Sequence, residues 1–186
     1  MAAFAPRSGT AQTMNFNPRN HEPGMSTSQS QSYVLFELAG SIYGVPSHNV
    51  QHIEMLEHVT LVPNANAAID GVVFSRGQVI PALNLRVRFG FPRQEKTLRT
   101  RIIYTRVHDR TVGLIVDSAK EFQNVADESI RPIEETLTGI NGRYLSAVTT
   151  IAQRLVLILD LDAVLDVDDV QLPAETESSL KQPAIS

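Results

Sequence analysis

A chain of 186 residues, 42% apolar, with no cysteine and a formal charge of -4, is long enough to bury a core of its own. It holds no apolar run near the roughly 20 residues that a membrane helix needs, and the lack of Cys removes disulfides, thiolate nucleophiles and Cys-based zinc or iron–sulfur sites. The charge is too mild for a nucleic-acid binder and the N-terminus lacks a sustained apolar leader, so a cytoplasmic protein without direct membrane insertion is expected.

Residues 1–31 are rich in Ser, Gln, Asn, Pro and Gly, and residues 168–186 are polar and acidic. Such segments cannot bury enough apolar surface to offset the entropy of ordering them, so both read as disordered tails around a core of residues 32–167. The core opens with a strand, Tyr33 to Leu38, a turn at Ala39-Gly40-Ser41 and a returning strand, Ile42 to Val45. Pro46-Ser47 reads as the start of a short helix with Ser47 as its N-cap, on which Val50 and Ile53 share one face and His48 and His52 point outward. Val59 to Val62 reads as a further strand.

The most informative stretch comes next, Ile69-Asp-Gly-Val-Val-Phe-Ser-Arg-Gly-Gln-Val-Ile-Pro-Ala-Leu-Asn-Leu-Arg86. Val72–Phe74 and Gln78–Ile80 are β-rich runs around Ser75-Arg76-Gly77, a loop whose Gly suits a left-handed position. This sets Arg76 at the tip of a stiff ribbon, with Val72 and Val73 on alternating faces and one of them exposed beside it. An Arg among exposed apolar residues has the composition of an interface hot spot. Leu83, Leu85 and Val87 then read as a helical or looped segment ending near Gly90.

After the polar connector Gly90 to Lys96 the plan repeats: Arg101–Val107, a turn at His108-Asp109-Arg110, Thr111–Asp117, an irregular edge over Ser118–Asn124, a polar loop or helical turn over Val125–Ile130, and a last hairpin of Tyr144–Ile151 and Leu155–Asp160. Leu161–Leu165 reads as a closing helix capped by Asp160 and Asp162. Gly113 matches Gly44, and Leu159-Asp160-Leu161 matches Leu83-Asn84-Leu85. The expected fold is mainly β: two related small barrels joined along an apolar seam, which also hides strand edges.

Nothing in the residues points to an enzyme. His48 and His52 stand i, i+4, but Asn49 replaces the Glu a zinc-protease helix requires, so a solvated face is the better reading and no metal is expected. The aspartates after Asp160 lack the Gly and Glu of a calcium loop. No phosphate loop, nucleophile elbow or dinucleotide fingerprint is present, and no cofactor is expected. Eight basic residues between Arg86 and Arg110 face seven acidic ones between Asp160 and Glu177, a balance read as a surface that partly neutralises itself.

The run Tyr43-Gly44, Val50, Ile53, Ile69-Asp-Gly71-Val72, Arg76-Gly77, Ile80-Pro81, Leu83–Arg86, with Val112–Asp117, Ile130–Pro132, Tyr144-Leu145 and Arg154–Leu159, resembles the CheW-like family of chemotaxis coupling proteins. That resemblance implies two five-stranded SH3-like barrels and a non-enzymatic adaptor. Its expected partners are the regulatory domain of a CheA-type histidine kinase and the cytoplasmic tip of a chemoreceptor, in arrays that recruit it to the membrane. An alternative is a regulator of another chemosensory system, such as twitching motility. It also implies Arg76, Gly71, Val50, Val72, Gly77, Ile53 and His52 as partner-binding positions. The chain departs from the family pattern: Phe74 and Ser75 stand where Asn and Leu are usual, Asn84 for Asp, Ala147 for Gly, and His52 where a carboxylate is often found.

Overall fold

The computed structural model describes residues 29–133 and 142–165, and apart from residues 29–31 the two expected tails lie outside the described residues. Eleven strands alternate with short helical turns: β1 (Ser30–Leu38), β2 (Ser41–Pro46), β3 (Val50–Met55), β4 (Ile69–Ser75), β5 (Gln78–Asn84), α1 (Leu85–Arg88), β6 (Arg101–Val107), β7 (Arg110–Val116), β8 (Ser118–Ala126), β9 (Arg131–Pro132), β10 (Leu145–Ile151), β11 (Arg154–Leu159) and α2 (Leu161–Val164). They form two sheets, ordered β8-β1-β2-β11-β10-β9 and β3-β6-β7-β5-β4. An isolated bridge between Thr60 and Val72 extends the second order beyond β4.

The two orders are the same pattern used twice. β1-β2 corresponds to β6-β7, β11-β10 to β5-β4, β8 to β3, and β9 to the Thr60 bridge. Register confirms it: Leu35 pairs with Gly44 as Tyr104 pairs with Gly113, and the parallel pairs Gly44–Ile158 and Gly113–Ala82 correspond. Equivalent bulges fall at Leu145/Ala147 and Ile69/Gly71. Asn84 caps α1 by accepting from the amides of Arg86 and Val87, and Asp160 caps α2 by accepting from that of Ala163. The repeat is crossed, however. Each sheet takes one hairpin from each half of the chain, because β5 pairs parallel with β7 and β11 with β2. The subdomains are therefore not successive halves.

Side chains alternate along a strand, and here both faces are buried. In β1, Tyr33 and Leu35 enter the core of the first sheet, while Val34, Phe36 and Leu38 enter the seam between the sheets. In β6, Ile102 and Tyr104 enter the core of the second sheet and Ile103 enters the seam. This double burial is why these strands read as continuous apolar runs. Each sheet wraps its own small core as an SH3-like barrel, and the larger seam cluster, with Phe36 stacked on Tyr43 and Phe89 on Tyr144, joins them.

Several expectations need correction. No helix runs through Val50 and Ile53: Ser47–Asn49 is a single 3-10 turn without a side-chain cap, and Val50–Met55 is β3. The two residues still share a face, because a bulge after Val50 adds one residue to the strand period, pairing Val50 with Thr105 and Ile53 with Ile103. Residues 59–62 form no strand beyond the Thr60 bridge. Residues 118–124 are not irregular but belong to β8, which pairs with β1 through one register shift. Val125 is a core residue at the end of that strand. Ser30 and Gln31 already pair with β8, so the ordered strand begins ahead of residue 32. Leu83 lies in β5 rather than in the helical turn.

Candidate functional site

The β4–β5 hairpin closes through two residues, Arg76 at φ 51° and Gly77 at φ 79°. Two successive positive φ values give the tight turn whose twist matches the flanking strands. Arg76 thus occupies a conformation that side chains other than Gly, Asn and Asp rarely adopt. The other three tight hairpins also begin with a left-handed non-Gly residue, Ala39, His108 and Ala152. Arg76 is exposed and makes no ion pair with the described residues.

Next to it stands Phe74, 76% exposed, on the outer face of β4. Of Val72 and Val73, one of which is expected beside Arg76 at the surface, neither is exposed, and Val72 is only 4% exposed. Its amide and carbonyl both bond to Thr60 at 2.8 Å, so the chain ahead of β4 folds over it. Val73 faces the barrel core. Gly71 is also buried, at φ 142°, and a Cβ there would lie 2.1 Å from the Thr60 carbonyl oxygen. Gly71 and Val72 therefore hold the hairpin in place without reaching the surface. Phe74 was missed because the sequence does not show that Thr60 covers Val72. The alternation of β4, with buried Val73 and Ser75 on either side of Phe74, was the available signal.

His52 is not on a solvated face. Its ring stacks on Tyr104 with centroids 4.1 Å apart, and Nε2 lies 3.2 Å from Ser75 Oγ and 3.4 Å from Glu54 Oε1. Nδ1 is buried with no partner. Burial, then the charge of Arg76, hold the imidazole below its usual 6.5 despite Glu54. Burial likewise raises the Tyr104 hydroxyl. His52, Ser75 and Tyr104 thus form a polar plug at the Arg76 end of the second barrel. Beside it an open cleft of 560 Å³ is lined by Glu54, Met55, Thr60, Val72, Phe74 and Tyr104.

Val50 and Ile53 turn the other way. Both are half-buried against the seam, as are Val107 and Ala163. The seven sequence-predicted positions therefore divide into three groups. Arg76, Gly77 and His52 gather at the tip of the second barrel, Val50 and Ile53 line the seam, and Gly71 and Val72 support the hairpin from inside.

Four arginines of the basic stretch are ion-paired within the fold. Arg86 grips Asp117 through two bonds of 2.7 and 2.8 Å, Arg93 pairs with Asp70, Arg99 with Glu37 and Arg106 with Asp109. Glu37, Asp70, Arg86, Arg99 and Asp117 line a cleft of 630 Å³ where the connector is tied to both sheets, so that cleft is a clasp. Burial pushes the Asp117 carboxyl up, but the hydrogen bonds from Arg86 and the Ala39 amide and the charges of Arg86 and Arg99 hold it below its usual 3.8. Asp162 lies within α2 rather than at its cap, 3.0 Å from His108. Among the described residues, no cluster of His, Asp and Glu could hold a metal ion, and no helix is long and apolar enough to cross a membrane.

A family model described as a CheW-like domain matches residues 32–169. The chain is 28% identical over 142 residues to the chemotaxis protein CheW of Klebsiella aerogenes, covering 76% of this chain and 86% of that one. It is 32% identical over 141 residues to the chemotaxis protein CheW of Bacillus subtilis, covering 76% and 90%. The crystal structure of the scaffolding protein TtCheW from Thermoanaerobacter tengcongensis superposes with a TM-score of 0.71 at 26% identity, over 78% of this chain and all of that one.

Proposed function

The chain belongs to the CheW-like domain family, and from that premise we propose how it acts as a chemotaxis adaptor: it joins the regulatory domain of a CheA-type histidine kinase to the cytoplasmic tip of a chemoreceptor. It catalyses nothing. It works in the cytoplasm, drawn to the membrane by receptor arrays. The observation that carries this reading is the rigid Arg76 turn: an exposed guanidinium without an ion-pair partner among the described residues, beside an exposed Phe74, on a hairpin braced from below by Gly71 and Val72.

The two surface groups suit two partners. The apolar tip around Phe74 and the neighbouring cleft accept a globular domain. The half-buried stripe of Val50, Ile53 and Val107 along the seam accepts the apolar face of a helix. Each contact is modest, on the order of 800 Å² per partner, and gains strength through repetition in an array.

Arg76→Glu tests the reading. The side chain is exposed, so the change leaves folding intact. Pull-downs with the kinase domain and with the receptor tip are expected to show lost binding of at least one. Unchanged binding of both removes Arg76 from the site.

A further inference from the structure

The repeated fold supplies its own reference for the Arg76 end of the second barrel. Tyr104 and Ser75 correspond to Leu35 and Ile151 in the first barrel, by identical placement relative to the glycine pairs and the hairpin turns. There both positions are apolar: Leu35 is core and Ile151 packs against it. At these two positions the first barrel is closed with hydrocarbon. In the second, the hydroxyl of Ser75 and the phenol of Tyr104 stand instead, with the His52 imidazole stacked on Tyr104, although burying polar groups is costly unless each is paired. His52 Nδ1 is not paired. These polar groups stand at the end of the barrel where Ser75, bonded to His52, leads directly into the turn that carries the exposed guanidinium.

We propose that Arg76, Phe74 and His52 form a proton-linked docking site for a protein carboxylate set beside an apolar side chain. This rests on the adaptor reading of the hairpin and adds to it the chemistry of the partner. The cation at Arg76 has no carboxylate of the described residues in ion-pair reach, so the partner supplies one, and Phe74 supplies the apolar contact. The groups facing His52 are Glu54 on its own strand, Ser75 and Arg76 on the hairpin, and Tyr104 on β6. In the free protein Arg76 opposes protonation of His52 and Glu54 favours it. A partner carboxylate against Arg76 offsets the repulsion. His52 then binds a proton more tightly in the complex, and by linkage the complex tightens as pH falls through the histidine range.

The test uses the full chain with two probes, the purified kinase regulatory domain and a receptor-tip fragment, titrated by calorimetry at pH 7.5, 6.5 and 5.5. For the partner that docks on Arg76, affinity is expected to rise at least about threefold from pH 7.5 to 5.5, and His52→Gln is expected to abolish that rise. Tracking the His52 ring protons by NMR in the unmutated chain gives a second readout: its titration midpoint moves up when that partner is bound. Binding of both probes with no pH dependence, a pH dependence that survives His52→Gln, or an unmoved midpoint overturns the proposal while leaving the adaptor reading in place. Failure of both probes to bind at any pH overturns the adaptor reading, and this proposal with it.

Discussion

Replacing Gly71 by Ala separates a supporting role from a contact role. At φ 142°, Ala at this position is strained by about 1–3 kcal/mol. Its Cβ would stand 2.1 Å from the Thr60 carbonyl oxygen and 2.8 Å from the Thr60 carbonyl carbon, both backbone atoms that cannot swing aside as a side chain can. Relief requires the Thr60 segment to lift away, which breaks its two 2.8 Å hydrogen bonds to Val72. Those bonds contribute about 0.5–1.5 kcal/mol each, and uncovering Val72 forfeits roughly 1.5 kcal/mol more. The sum is about 3.5–7.5 kcal/mol, a large share of the roughly 5–15 kcal/mol that holds a typical domain together. In urea, with a slope of about 1–3 kcal/mol per molar, the midpoint is expected to fall by roughly 2 M. Partner affinity, measured where the variant is still folded, drops only as far as the hairpin loosens. A midpoint within about 0.5 M of the parent, together with lost partner binding, overturns the supporting role and makes Gly71 a contact position.

Phe74→Ser tests the opposite kind of residue: it should move stability by less than about 0.5 kcal/mol, because the side chain is solvated already, while weakening partner binding in the same pull-down as Arg76→Glu. Asp117→Asn leaves Arg86 without its carboxylate and is expected to cost about 1–3 kcal/mol at pH 7, read by urea unfolding. Since the folded protein holds the Asp117 carboxyl below its usual 3.8, the pair contributes stability above that value and loses it as pH falls through the lower, folded value. The acid limb of the stability curve is therefore expected to flatten in the variant, and an unchanged limb would count against the Arg86–Asp117 clasp.

Sequence reading recovers most of the barrels because doubly buried strands leave dense apolar runs and the hairpin turns fall where those runs break. The cap at Asp160 is legible too, since it follows a strand and precedes a short helical turn, and Asn84 is its match in the repeat. β3 is not. Its Val50 and Ile53 are spaced as on a helix, and only pairing with β6 shows that a bulge produces that spacing in a strand. The exchange of hairpins between sheets is equally invisible, because parallel pairing of β2 with β11 and of β5 with β7 links residues far apart in sequence. The turn that sets Arg76 and Gly77 at the hairpin tip is legible in the sequence. Val72 is misplaced because its cover is a single bridge from Thr60, a long-range contact without a sequence pattern. His52 is misplaced because its stacking partner, Tyr104, lies on a strand of the other repeat.

The proposed adaptor role requires the chain to hold a kinase regulatory domain and a receptor tip at once, each on its own surface of a single molecule. Beads carrying the receptor-tip fragment, incubated with the kinase domain in the presence and absence of the full chain, decide whether it does. The kinase domain is expected to be retained only when the chain is added, and in proportion to it. Retention that is equal without the chain, or displacement of the chain from the beads by the kinase domain, would show that the two partners are not bridged.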